Sequence, residues 1–161
     1  MTRAKCYLII LAVSMLPIIE LRGSIPIAAA LDIEPRIAFL EALPFAIIGN
    51  LLPVPFIILF FKYFLTKFRK VPLIGTILTK VHNKAVEKAD KIKSYAFWGL
   101  FIFVAVPCPG TGAWTGSVIA SILEMDNKKA FLAIVLGVIT SGLLMGFISY
   151  GLWDILVALV K

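Results

Sequence analysis

Apolar runs of two lengths alternate along this chain, separated by short polar breaks. Ala4 to Ile19 is mostly apolar over about sixteen residues, which is at the short limit for crossing a bilayer. It ends in Pro17 and the stretch Glu20-Leu21-Arg22-Gly23-Ser24-Ile25-Pro26, where Gly23 and Pro26 predict the helix break. A second short limb, Ile25 to Leu31, follows. Two short limbs around a polar break predict a re-entrant hairpin, because broken backbone at membrane depth must be satisfied by protein or by a wet cavity. A polar loop, Asp32 to Arg36, leads into an apolar run from Ile37 to about Phe61, long enough to span and kinked at Pro44, Pro53 and Pro55.

The same order then returns. Tyr95 to Val106 is apolar, Pro107 to Gly112 breaks it, Trp114 to Leu123 forms a second short limb, and Ala130 to Trp153 is a full span. Aligning Pro17–Leu52 with Pro109–Leu144, without a gap, gives ten identities in 36 positions. About three or four would be expected by chance in so apolar a chain. One hairpin and one full crossing per half would place the halves in opposite orientation, with the hairpins meeting near the midplane. The expected fold is therefore an all-α integral membrane protein with two inverted repeats. Each repeat is a re-entrant hairpin plus a transmembrane helix. A single membrane domain, 1–161, divides into repeat 1 (1–61), a basic linker (62–94) and repeat 2 (95–161). A full span at residues 4–19 would instead remove the inversion.

Composition and charge sharpen this picture. A mean hydropathy of +1.01 makes lipid the solvent for most of the chain. The net charge of +7 is not a nucleic-acid signature, since nine Lys/Arg fall between Lys62 and Lys93 against only Glu87 and Asp90. That is the positive-inside pattern of a cytoplasmic loop. Within it, Ile74, Ile77, Leu78, Val81, Ala85, Ala89 and Ile92 recur at helical spacing, predicting an amphipathic helix on the membrane surface. The Asp32–Arg36 loop and both termini then lie outside. Glu20 and Arg22 stand where signal cleavage would be expected, so the first segment is read as part of the fold. A single histidine, His82, and two cysteines, Cys6 and Cys108, leave no metal set or histidine triad, and the cysteines read as buried small side chains. No cofactor fingerprint or nucleophile elbow is present, so no enzyme activity and no cofactor are expected.

The sharpest constellation is Glu20 and Arg22 at a helix break in an apolar context. A lone charge there costs a few kcal/mol or more, so the two should pair, line a wet cavity or hold something charged. Glu20 can carry a proton; Arg22 cannot release one, and its fork suits carboxylate or phosphate. A static brace is the structural alternative. Pro109-Gly110-Thr111-Gly112-Ala113-Trp114-Thr115-Gly116 is the partner element, whose glycines permit close backbone approach. The candidate substrate or proton pathway is Glu20, Arg22, Ser24, Thr111, Trp114 and Glu41. Gly23, Pro26, Pro109, Gly110 and Gly112 shape the breaks. Asp154 reads as an interfacial charge. Gly142, Gly146 and Tyr150 fall on one helical face and predict close packing, within the chain or in a homodimer.

ELRGSIP (Glu20–Pro26) and PGTGAW (Pro109–Trp114) together resemble the putative small multidrug export protein family of small prokaryotic membrane proteins. The resemblance implies a multi-pass protein of the prokaryotic inner membrane that exports small molecules. The broken, duplicated plan is also similar in style to the wider DedA group, associated with proton-motive-force-dependent transport and lipid-phosphate flipping. That group places essential arginines after its second hairpin, whereas the second half here has none. Small multidrug resistance pumps share the size and an early glutamate, but not the broken plan. Three readings follow: a proton-coupled small-molecule exporter or, alternatively, a lipid-phosphate flippase, with Glu20 as proton carrier and Arg22 as anion clamp; a structural protein with Glu20–Arg22 as brace; and a membrane enzyme acting on lipid phosphate, for which no catalytic set is present. Membrane lipid and a small-molecule or lipid-phosphate substrate are the expected partners, with no nucleic acid.

Overall fold

A computed structural model describes residues 2–31, 37–68, 89–108 and 110–151. The Asp32–Arg36 loop, most of the amphipathic segment, His82, Pro109 and Asp154 lie outside the described residues. The described elements are all helical: α1 (Arg3–Ser14), α2 (Glu20–Ala30), α3 (Phe39–Leu51), α4 (Val54–Phe68), α5 (Ala89–Ala105), α6 (Ala113–Ile122) and α7 (Asn127–Gly146), which ends in a π-helical turn, Phe147–Gly151. The 92-residue offset in the sequence sets α2 against α6 and α3 against α7.

Length sorts these elements. The runs Phe39–Leu65 and Asn127–Gly151 are long and apolar enough to cross a membrane. Helices α1, α2 and α6 have 12, 11 and 10 residues. At about 1.5 Å per residue each reaches only about half of a ~30 Å hydrocarbon core. The first break lies earlier than the sequence suggests. It occupies residues 15–19, and α2 runs through Gly23 and Pro26 rather than stopping there. Proline removes a single amide donor, and packed neighbouring helices let a membrane helix tolerate that. Helix α4 continues past Phe61 to Phe68, so the start of the basic segment is helical. At the other end, Asp126 caps α7 by accepting from the amides of Lys128 and Lys129, both at 3.1 Å.

Large aliphatic side chains such as Ile10, Leu21, Ile25 and Ile134 are fully buried, but they share the interior with many small ones. The interior is rich in small and polar side chains: Ala42, Ala46, Ala133, Ser14, Ser117 and Ser121 are buried. Large apolar side chains such as Leu8, Leu40, Phe56, Phe60 and Leu143 are exposed. Small residues let membrane helices approach closely, and exposed apolar surface costs nothing in lipid. Tyr63, Tyr95 and Trp98 are exposed on either side of the basic linker, where aromatic side chains suit a membrane–water interface.

Helix directions can be read from ordered contacts. Arg3 meets Glu41, Tyr7 stacks on Phe45 at 4.6 Å, and the Leu11 carbonyl abuts Gly49. The order rises in both helices, so α1 and α3 run parallel, and α2 returns the chain between them. Phe39 packs against Gly146 and Leu43 against Gly142, so α3 and α7 run antiparallel. The predicted small-residue face of α7 is thus occupied within the chain, by Leu21, Leu43 and Phe39. Tyr150 continues that face, with its ring 5.6 Å from Phe39. Midway along α4, Lys62 donates to the Met125 carbonyl and to Asn127 Oδ1, tying the start of the basic segment to the α6–α7 turn.

Candidate functional site

The break between α5 and α6 leaves opposite helix ends facing each other. The last carbonyls of α5 and the first amides of α6 have no partner within their own helices, although the Val106 and Cys108 carbonyls take the turn amides of Cys108 and Thr111. The second half has no side-chain charge at this point. Both charges come from α2, in the other half of the chain.

Arg22 serves the α5 end. Its guanidinium donates to the carbonyls of Val104 (3.0 Å), Val106 (2.9 Å) and Cys108 (2.9 Å). Glu20 serves the α6 end, where its Oε1 accepts the backbone amide of Trp114 at 3.1 Å. The two side chains approach only to 3.9 Å, so each is bound more closely to backbone than to the other. The arrangement matches the helix dipoles, with a cation at a C-terminus and an anion at an N-terminus, each contributing about 0.3–2 kcal/mol depending on burial. Glu20 is 5% exposed and sits in the left-handed backbone region at φ 50°. A non-glycine residue there costs about 1–3 kcal/mol, and its carboxylate bond and the bond from its amide to the Leu16 carbonyl hold it in place.

The loop residues accommodate this fit. Gly112 has extended backbone, so conformation does not require glycine there; space does, since a Cβ would overlap the Glu20 carboxylate. Gly110, at φ 83°, does need glycine's left-handed freedom. Thr111 turns its hydroxyl onto the carbonyls of Val106 (2.8 Å) and Cys108 (2.9 Å). Trp114 fastens the two breaks together, its indole Nε1 donating to the Met15 carbonyl at 3.2 Å.

Two cavities meet at the pair. An open vestibule of about 300 Å³ is lined by Ile18, Glu20, Arg22, Cys108, Thr111 and Thr115, among others. On the other side lies a narrow void with no room for a water molecule, bounded by Glu20, Arg22, Asn50, Gly112 and Ser141. Glu20 and Arg22 form the partition between them.

The structure therefore brings together Glu20, Arg22, Thr111, Trp114, Gly110 and Gly112, with Gly23 in the vestibule wall. It leaves Ser24 and Glu41 elsewhere. Ser24 is buried and bonds the Leu21 carbonyl of its own helix. Glu41 forms a half-exposed pair with Arg3 at 3.2 Å and accepts from Tyr7 at 3.0 Å, lining neither cavity. Pro26 sits inside α2. Cys6 is buried as expected, but Cys108 is exposed in the vestibule, because the break that carries it opens there. Sequence reasoning passed over Asn50 and Ser141. Their signal was a polar side chain beside a glycine in each full span: Gly49-Asn50 and Ser141-Gly142 fall at equivalent repeat positions. Among the described residues no cluster of metal-ligating side chains occurs.

Comparison with curated proteins and with solved structures gives no match. A family model, described as putative small multi-drug export protein, matches residues 20–144, a stretch that begins at Glu20, directly after the first break, and contains the second. The chain, with its two membrane-capable helices, belongs to the putative small multi-drug export protein family.

Proposed function

We propose that this chain is a proton-coupled exporter of small molecules in the prokaryotic inner membrane, in which Glu20 is a protonatable latch on the second helix break. The observation that carries the reading is the buried Glu20 carboxylate holding the Trp114 amide at the wall of an open vestibule. Protonation removes the charge that holds the α6 amide end and weakens its attraction to Arg22. The break is then freer to move, and the vestibule with it. Parallel α1 and α3, antiparallel α3 and α7, and limbs too short to span support two inverted repeats with re-entrant hairpins. The vestibule volume lies at the lower end for drug-sized ligands.

Arg22 takes a different role from an anion clamp. Its fork is committed to three carbonyls, so a phosphate would have to displace them, and this counts against a lipid-phosphate flippase. The same observation favours one other reading, in which the pair is purely a brace. Swapping the two charges cannot separate these readings, because it would set a cation against amides and an anion against carbonyls, which both readings forbid. Glu20→Gln does separate them: the amide oxygen still accepts from Trp114, but no proton is carried. In proteoliposomes, wild type should move ethidium in response to an imposed pH gradient. The inserted Glu20→Gln protein should lose at least about tenfold of that rate, roughly 1.4 kcal/mol in the barrier. Full activity in Glu20→Gln would sink proton coupling through this residue.

A further inference from the structure

Asn50 and Ser141 are each 3% exposed, and the Oδ1 of the one and the Oγ of the other have no hydrogen-bond partner. Both line the closed void behind Glu20 and Arg22. They come from different full spans, α3 and α7, at adjoining repeat positions, so both halves of the chain contribute to the void. A buried acceptor without a donor is unusual and calls for a missing one.

Arg22 Nε, also beside the void, is a donor that is likewise unpaired, so its N–H reaches neither acceptor; the proton on Glu20 would supply the missing donor. An ionised carboxylate only accepts, whereas a protonated carboxyl must also donate its O–H. On the vestibule side the nearby carbonyls are engaged: Val104, Val106 and Cys108 receive Arg22, the latter two also receive Thr111, and Met15 receives the Trp114 indole. On the inner side Asn50 Oδ1 and Ser141 Oγ are unoccupied. The void admits no water molecule, which excludes drugs and phosphates, but a proton carried on a carboxyl needs no extra volume.

We infer that the void is the proton-holding site of the protein: protonated Glu20 turns its O–H inward onto Asn50 Oδ1, with Ser141 Oγ as the second acceptor, while substrate stays in the vestibule. No bond other than the O–H changes, and the proton comes from water on the vestibule side. The charged and titratable groups around Glu20 are few. Arg22 and Cys108 face it; Arg3, Tyr7 and Glu41 are occupied with one another between α1 and α3, Cys6 bonds the Thr2 carbonyl, and Tyr150 packs on Phe39. The inference rests on Glu20 being protonatable, as the proposed function requires.

Infrared difference spectroscopy of the full chain in lipid, acid minus neutral, tests it without a substrate. Wild type should show a protonated-carboxyl C=O band that is absent from Glu20→Gln. In Asn50→Leu that band should move to higher frequency, as expected for a carboxyl that has lost its acceptor, and Ser141→Ala, the milder change, should give a smaller shift the same way. If the band is present and neither substitution moves it, the inner acceptors are wrong although Glu20 still carries a proton. If Glu20→Gln removes no band, Glu20 takes up no proton, and the inference falls together with the coupling it rests on.

Discussion

The two helix breaks fall at aligned places in the sequence, 92 residues apart, yet they solve their unpaired backbone in opposite ways. The first, at residues 15–19, is followed by two charges and a strained left-handed backbone at Glu20. The second, between Ala105 and Ala113, has no charge and is built from Pro107, Gly110 and Gly112. One break supplies side chains, and the other supplies bare helix ends with room to receive them. The site exists only because the two halves differ at the point where they meet.

The comparison can be broken most severely at Arg22. Arg22→Met leaves three carbonyls and the Glu20 carboxylate without their cation, and should destabilise the protein by about 3–5 kcal/mol. Thermal or denaturant unfolding in detergent measures this, and a loss under about 1 kcal/mol would mean the carbonyl cap contributes little. Gly112→Ala tests the receiving side. Its Cβ occupies the space of the Glu20 carboxylate and should cost about 1–3 kcal/mol as the latch is pushed off the Trp114 amide. The same alanine at Gly99, where nothing lies within 4 Å of the added carbon, should be neutral or slightly stabilising. Glu41→Gln is small as well. It breaks a half-exposed pair outside both cavities, so it should cost under about 1 kcal/mol and leave ethidium transport unchanged.

Much of the scaffold was legible because it depends on patterns that lipid enforces. Apolar run lengths located α6, α7 and the combined α3–α4 run to within a few residues. Glu20 and Arg22 stood out because a charge between apolar segments is costly. Their partners did not stand out, since every residue has a carbonyl and nearly every residue an amide. Only tertiary structure decides which backbone groups a guanidinium or carboxylate reaches. The first break was displaced for a related reason. Gly23 and Pro26 are poor helix residues, but packing carries α2 through them, and the chain turns instead at Glu20, where side-chain bonds hold a conformation that propensity disfavours. Gly112 looked like a flexible turn and is a matter of space. Asn50 was hidden by the length of the apolar run around it.

The Trp114 amide reports most directly on the central claim that Glu20 is a protonatable latch on the second break. With tryptophan selectively labelled with nitrogen-15, the chain gives three backbone amide signals, from Trp98, Trp114 and Trp153. In wild type the Trp114 amide proton should lie downfield, bonded to a carboxylate, and move upfield in a single titration as the sample is acidified. In Glu20→Gln it should not depend on pH. A wild-type Trp114 signal that ignores pH, or one that titrates equally in Glu20→Gln, would contradict the account.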